Sequence, residues 1–343
     1  MKIAQIAPII ESVPPARYGG TERVISALTE ELTLRGHEVT LFATGDSTTR
    51  GELRSVTARS LRASNVQDAR ERIGATLLHI GNAYSQAKEF DVIHDHCGVF
   101  SMPSAQISPT PVLTTMHGCF FDHNVHIYQK LDKPAVVTIS NDQAKSAPGI
   151  HNVATVYNGL SMSEYPHSEQ REDYILYIGR ITPLKGTSEA VQFARSVNRP
   201  LVIAAKLDPE NQSYFDAEIK PFLNDIIRWV GEVNEQERNN LLSKAWCFIH
   251  PAPWREPFGL TLIEAMACGC PVLALKRGSI PEIVTHGKTG IVADNLEDLA
   301  KQFELAAEIN RDYCRTHALT HFSATQMAEQ YERLYESTAK TWN

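Results

Sequence analysis

Short β-branched and aliphatic runs alternate along this chain with segments whose apolar residues recur at helical spacing. Lys2 to Ala7 is predicted as a strand. Thr21 to Arg35 is predicted as a helix, because Val24, Leu28 and Leu32 fall at i, i+4 and i+8 on one face. Gly36 ends that helix as its C′ residue, and Glu38 to Ala43 returns as a strand. Asp91–His94, Val112–Thr115 and Val136–Ile139 follow as strand candidates. They are chiefly continuous apolar runs, the pattern of parallel strands buried on both faces. A polar stretch from Asn158 to Asp173 then interrupts the rhythm and reads as a linker.

Beyond the linker the βα alternation restarts. Strands are predicted at Tyr174–Ile178, Leu201–Ala205, Ile226–Val230, Cys247–His250 and Pro271–Leu275. Helices are predicted at Ser188–Val197, at Leu260–Cys268 closed by Gly269, at 296–309 and at 323–340. Asn234-x-x-Glu237 is a capping-box signature for one more helix, running to Ala245. No repeat of 20–50 residues appears. The fold class is therefore α/β, with two Rossmann-like parallel-sheet halves facing a cleft.

Length agrees with this, since 343 residues suit two domains at roughly 150 residues each. Apolar runs stop far short of the ~18–20 residues of a membrane span. The first residues lack a cleavage-site pattern, so no secretory signal is expected. A cytoplasmic protein with reduced thiols follows for the six cysteines. Cys268 and Cys270 form a lone C-x-C and read as packing residues rather than metal ligands. The net charge of −7 is spread over both halves, without the basic excess of a nucleic-acid-binding protein.

Ligands of open α/β sheets bind beyond the carboxyl ends of the strands, and three strand-to-helix junctions carry chemistry. The first is Tyr18-Gly19-Gly20-Thr21-Glu22. Its glycines suit close approach to an anion at a helix start, or a turn that needs positive φ. It is not G-x-G-x-x-G, and no acid closes the second strand near position 42, which disfavours a nicotinamide cofactor. The second is Gly179-Arg180-Ile181-Thr182-Pro183-Leu184-Lys185-Gly186. A guanidinium fork and an ammonium point charge on one loop suit a diphosphate, or form a solvated basic loop. The third runs from Glu256 through Phe258, Gly259, Leu260 and Thr261 to Glu264. Free N–H groups at the helix start favour an anion. A carboxylate within the helix can accept from vicinal hydroxyls, or be held in an ion pair.

Two weaker features remain. His94-Asp95-His96-Cys97 follows a strand. If the strand persists, the two imidazoles point to opposite faces, leaving acceptor-side or structural roles rather than a shared metal. Arg50, Arg54, Arg59, Arg62, Arg70 and Arg72 outnumber the acids between them. They form a solvated face or a contact for an anionic acceptor or membrane surface.

Taken together, Gly179-Arg180-x4-Lys185-Gly186 and Glu256-Pro257-Phe258-Gly259-Leu260-x3-Glu264-Ala265-Met266-Ala267-x-Gly269-x-Pro271-Val272 resemble the family 4 glycosyltransferases of GT-B fold. Gly19-Gly20, Thr115-x-His117-Gly118, Asn158-Gly159, Gly278-Ser279-Ile280-Pro281-Glu282 and Thr289-Gly290 extend the likeness over essentially the whole chain. The resemblance implies an acceptor-side domain at 1–160, a nucleotide-sugar domain at 161–322, and a helix at 323–343 returning to the first domain. It implies a retaining, metal-independent hexosyl transfer from a nucleotide diphosphate sugar to a hydroxyl of a saccharide, lipid-linked or small-molecule acceptor. UDP is favoured by family frequency. Arg180 and Lys185 look like the diphosphate clamp and Glu264 like the ribose-binding carboxylate. Glu256 and the backbones of Phe258 and Gly259 look like donor-sugar contacts, and Leu260 and Thr261 offer N–H groups to phosphate. Gly19 and Gly20 would meet the diphosphate, His117 would face the transferred sugar, and Val230 would lie near the base. One departure is Ser161, where the family usually has Asp.

No carboxylate emerges as a nucleophile of the kind retaining glycosidases use. Front-face attack is therefore expected, with the acceptor proton passing to the departing phosphate. An epimerase or hydrolase on the same architecture, or a non-catalytic sugar-nucleotide binder, are the competing readings.

Overall fold

The computed structural model describes residues 1–17, 19–163 and 165–342. Tyr18 of the first junction lies outside the described residues. The chain divides into two units, residues 1–161 with 323–343, and residues 162–322.

The first unit carries β1 (Lys2–Ile6), α1 (Gly20–Leu34), β2 (Glu38–Phe42), β3 (Glu52–Arg54), α2 (Ala69–Ser85) and β4 (Val92–Asp95). It continues with α3 (Met102–Gln106), β5 (Val112–Met116), α4 (Asp122–Gln129), β6 (Ala135–Thr138), α5 (Asn141–Lys145) and β7 (Asn152–Thr155). The strands form one sheet in the order β3-β2-β1-β4-β5-β6-β7, and all its pairings are parallel. Ile3, Ile6, Phe42, Ile93 and Val112 are fully buried, as a sheet covered on both faces requires. Gly36 takes φ +89° just after α1, as expected of a C′ glycine. The terminal helix, Ala324–Thr341, packs on α1. There Arg35 makes two hydrogen bonds to Glu332, at 2.9 and 2.8 Å.

The second unit carries β8 (Ile175–Arg180), α6 (Thr187–Ser196), β9 (Leu201–Lys206), α7 (Gln212–Glu218), β10 (Ile227–Gly231), α8 (Glu235–Lys244) and β11 (Cys247–His250). Then come α9 (Leu260–Ala267), β12 (Val272–Leu275), α10 (Ile280–Ile283), β13 (Gly290–Ala293), α11 (Leu296–Lys301) and α12 (Arg311–His321). Its sheet order is β10-β9-β8-β11-β12-β13, again all parallel. The predicted capping box is present. Asn234 Oδ1 accepts from Glu237 N and Glu237 Oε2 accepts from Asn234 N, both at 2.9 Å. The single helix expected over 296–309 is instead α11 followed by a 3₁₀ stretch, Phe303–Glu308. Cys268 and Cys270 are fully buried, which suits their packing role.

Both sheets reverse their strand order at one point, between β1 and β4 in the first unit and between β8 and β11 in the second. Such switch points open the crevices where α/β sheets hold ligands. The Gly19-Gly20 turn follows β1 and His96 follows β4. Likewise Arg180 ends β8, and the Glu256 loop follows β11.

Candidate functional site

In the second unit, Arg180 and Lys185 bracket the loop between β8 and α6. Thr182 caps its 3₁₀ turn by accepting from Lys185 N at 3.2 Å. The buried Tyr177 hydroxyl lies 3.2 Å from the carbonyl oxygens of both Arg180 and Lys185, pinning the two ends of the turn. Gly186 has φ +75°, and a side chain there would come within 2.6 Å of Pro251 O, so the loop is seated directly on the end of β11.

This seating brings together two predicted residues 71 positions apart. Lys185 Nζ donates to Glu256 Oε2 at 2.8 Å, and its charge sits 4.6 Å from the centre of the Trp254 ring. Trp254 Nε1 donates to the same oxygen at 2.9 Å. His250 Nε2 lies 3.7 Å from it. Burial holds the His250 imidazole down to about 4, against the opposing pull of Glu256. Sequence reasoning missed Trp254 and His250, although both flank the Glu256 motif.

Glu256 is held by backbone as well. Its carbonyl accepts from Ser279 N at 3.0 Å, and Ser279 Oγ donates to Phe258 O at 2.8 Å. The Gly278-Ser279 motif therefore clamps the Glu256 loop. Phe258 turns its ring into the core, 6.0 Å from that of Phe322, leaving only its backbone for a ligand. Gly259 is the N-cap of α9 with φ +88°, and Leu260 and Thr261 form the first turn of that helix with its unbonded N–H groups.

Glu264 is 1% exposed, and its Oε1 lies 2.9 Å from Arg238 Nη2 on α8. The ion-pair alternative raised for this residue is thus present, and Arg238 is a partner the sequence did not reveal. Val230 stands 46% exposed on β10. The cavity of about 570 Å³ at the ends of β9 and β10 is lined by Lys206, Leu207, Pro209, Gln212, Trp229 and Glu232. Trp229 is its aromatic wall, and Val230 is not among these lining residues.

In the first unit, Gly19 is extended, with φ 162°, so positive φ is not what this turn needs. The glycine is required by proximity, since a Cβ would meet Pro15 at 2.7 Å. Gly20 begins α1. Glu22, in its first turn, is buried, and burial pushes its carboxyl up to about 7.

His117 follows β5 and His96 follows β4. Their rings are joined, His117 Nε2 to His96 Nδ1, at 2.9 Å. The strand does not persist to His96, so the opposite-face arrangement that its persistence would give does not arise. The strand ends at Asp95, whose carboxylate takes the Cys97 N–H and the Ser101 hydroxyl, each at 2.7 Å, and turns the chain. The two imidazoles therefore lie side by side, with centroids 4.1 Å apart. An acceptor-facing role for His94 is corrected, because it is fully buried. Its ring nitrogens are engaged by Tyr335 and Thr115, both at 2.7 Å. Burial holds His94 and His96 well below the ordinary imidazole range and His117 at about 4, so all three are neutral near pH 7.

Within the basic segment, Arg62 pairs with Glu11 at 2.6 Å and Arg54 with Glu89 at 2.7 Å. Those two charges are thereby paired within the protein. No helix among the described residues is long and apolar enough to cross a membrane.

Two parallel-sheet units, each with a switch point lined by candidate ligand-binding loops, define a two-domain α/β architecture, and comparison with known proteins places it. Residues 18–161 match the model of Glycosyltransferase Family 4, and residues 163–318 match that of Glycosyl transferases group 1. The chain belongs to the family 4 glycosyltransferases, of GT-B fold. It is 24% identical over 396 residues to a putative glycosyltransferase, YtcC, of Bacillus subtilis, covering 98% of this chain and 92% of that one. It is 24% identical over 332 residues to a glycogen synthase of Mycobacterium tuberculosis, covering 81% and 79%. Among solved structures, a glycosyltransferase of avilamycin A biosynthesis superposes with a TM-score of 0.78 at 24% identity, covering 100% of this chain and 99% of that one. Anabaena HepE, in complex with UDP and glucose, superposes with a TM-score of 0.76 at 18% identity, covering 98% and 100%.

Proposed function

We propose that this glycosyltransferase moves a hexose from a nucleotide diphosphate sugar, UDP-hexose first among candidates, to an acceptor hydroxyl, with retention and without a metal. The acceptor is a saccharide, lipid-linked or small-molecule hydroxyl, and the setting is the cytoplasm. The observation that carries the reading is the Lys185–Glu256 contact at the β8/β11 switch point. Breaking the bond from sugar to diphosphate leaves growing negative charge on the leaving group. Lys185, Arg180 and the N–H groups of Leu260 and Thr261 would stabilise that charge from fixed positions, which is worth most where reorganisation is least. Glu256, already bonded to Lys185, would orient the ammonium and accept from donor-sugar hydroxyls. Glu264 would take the ribose, and His117 the transferred sugar. The acceptor proton would leave with the phosphate. HepE, whose structure holds UDP and glucose, and the glycogen synthase relative support a sugar-nucleotide donor.

The test is a thermal-shift panel of UDP, GDP, ADP and their hexose conjugates, with and without EDTA. Ligand at ~100 Kd adds roughly 2.7 kcal/mol of stability. Stabilisation and turnover that survive EDTA are expected, with an α-linked product from an α-linked donor. Turnover that needed added Mn²⁺ or Mg²⁺ would overturn the metal-free reading. Nucleotide release or sugar inversion that needed no acceptor would favour a hydrolase or epimerase.

A further inference from the structure

The first unit holds a buried polar chain that the proposed chemistry does not itself require. It runs through Gln5 on β1, His94 at β4, Thr115 on β5, and Tyr331 and Tyr335 on the terminal helix. His96 Nε2 lies 2.8 Å from Gln5 Oε1. Gln5 Nε2 donates to Tyr335 Oη at 3.1 Å and lies 3.4 Å from His94 Nδ1. Thr115 Oγ1 and Tyr331 Oη are 2.7 Å apart.

The protons in this chain are ordered. A Gln oxygen only accepts, so His96 must carry its proton on Nε2. A neutral imidazole has one proton, which leaves His96 Nδ1 a bare lone pair. His117 Nε2, 2.9 Å away, must then be the donor. Its own single proton is thereby spent, and His117 Nδ1 is a lone pair. Reversing the Gln5 amide would invert every step. It would also turn both amide hydrogens away from Tyr335 and His94 toward a single acceptor, His96 Nε2, stranding one of them in the core. Burial opposes the imidazolium that would blur the assignment. No described protein group hydrogen-bonds His117 Nδ1.

We infer that Gln5 and His96 are positioning residues that lock His117 in its Nε2–H tautomer, so that its Nδ1 accepts a hydrogen bond from a hydroxyl of the transferred sugar. The consequence for specificity rests on the function proposed above. At that position the enzyme requires a group that donates. A group that only accepts, such as fluorine, a carbonyl or a carboxylate, is refused even where it fits. Sites built to pair a substrate hydroxyl reject analogues that lack it far more strongly than apolar pockets reject a missing methylene.

The tautomer is tested in the unliganded full-length protein by two-bond ¹H–¹⁵N correlation of ¹⁵N-histidine-labelled chain. The His117 signals are assigned by their loss in His117→Asn. A protonated Nε2 and an unprotonated Nδ1 are expected for both His96 and His117. A proton on His117 Nδ1 would overturn the inference whatever the enzyme's activity. Polarity is tested with UDP-glucose and its 3-, 4- and 6-deoxy and deoxyfluoro analogues, compared by dissociation constant. At one position both replacements should weaken binding by ~10-fold or more. The penalty should vanish in His117→Ala and shrink in Gln5→Met, while UDP affinity stays unchanged in both. Gln5→Glu, which keeps an acceptor for His96, should restore it. A fluoro analogue that binds like the parent where the deoxy analogue does not would show that His117 donates, and would overturn the inference. Failure of every UDP-sugar to bind, with the expected tautomer observed, would strike the donor reading and its specificity claim while leaving the proton order standing.

Discussion

Breaking the Arg238–Glu264 pair is the perturbation with the largest consequence that the structure allows to be worked through. Glu264 is 1% exposed and Arg238 7%, and their charged atoms are 2.9 Å apart. Unit charges about 4 Å apart interact by roughly 4 kcal/mol at an effective dielectric constant of 20. Removing one member of a buried pair costs ~3–5 kcal/mol, because the other keeps its desolvation penalty. Arg238→Met should therefore destabilise the 162–322 unit by about that amount. A unit of this size loses roughly 2–4 °C of Tm per kcal/mol, giving a drop of about 6–20 °C. Glu264→Met should cost somewhat less, since Arg238 Nη2 retains Glu235 at 3.6 Å. The double replacement removes both charges together and should lie close to the wild type, so the coupling should nearly equal the sum of the two single losses. Urea unfolding followed by tryptophan fluorescence is the assay. Three of the four tryptophans, Trp229, Trp246 and Trp254, lie in this unit, and a Trp342→Phe background removes the fourth, so the signal then reports on it. The same variants separate stability from function. Glu264→Gln should weaken nucleotide binding by roughly 10–150-fold, the worth of a charge-assisted hydrogen bond, with kcat little changed. Additive single-mutant losses would refute the pairing as the source of stability. Lost turnover at saturating donor with a normal Kd would refute the ribose role.

Further expectations follow from other contacts of the two switch points. Lys185→Met leaves the Glu256 carboxylate beside the place where leaving-group charge grows, so kcat and diphosphate affinity should both fall, with kcat/KM down by ~2–4 kcal/mol. A variant that lost affinity alone would remove Lys185 from the reaction. Burial is the main cause that lifts Glu22 from its ordinary 4.5 to about 7. A carboxyl raised in the folded state contributes stability below its unfolded value that is lost as pH rises through the folded one. Glu22→Gln should therefore gain on the wild type between pH 5 and pH 8, by up to about 3 kcal/mol, in urea midpoints followed by circular dichroism. A difference that stayed flat with pH would show that the carboxyl ionises freely in the fold. His117→Ala should lower kcat by ~10²-fold while leaving free-nucleotide affinity intact; normal turnover would confine His117 to a structural role.

What the chain declares by itself is local. The βα rhythm, the stop of α1 at Gly36 and the capping box at Asn234 are written in side-chain periodicity and backbone preference, which act over a few residues. The loaded loops were legible for the same reason, since each is a contiguous motif at a strand end. Where short-range rules compete, the reading faltered. The 296–309 helix broke into two pieces, whereas the strand predicted over Asp91–His94 forms over Val92–Asp95 and stops where Asp95 captures the Cys97 N–H.

Tertiary structure alone decided who meets whom. Lys185 reaches Glu256 across 71 positions because the sheet sets β8 beside β11. Gln5 reaches Tyr335 across 330 because the terminal helix docks on the first unit. Arg238 looks in the sequence like an ordinary solvated helix charge, the sequence offers Glu264 an ion pair without naming its partner, and only the packing of α8 against α9 buries the two together. A side chain's type is encoded at its position. Its burial, its proton and its partner are set by neighbours distant in the chain, and these turn an ordinary histidine or glutamate into one with a defined task.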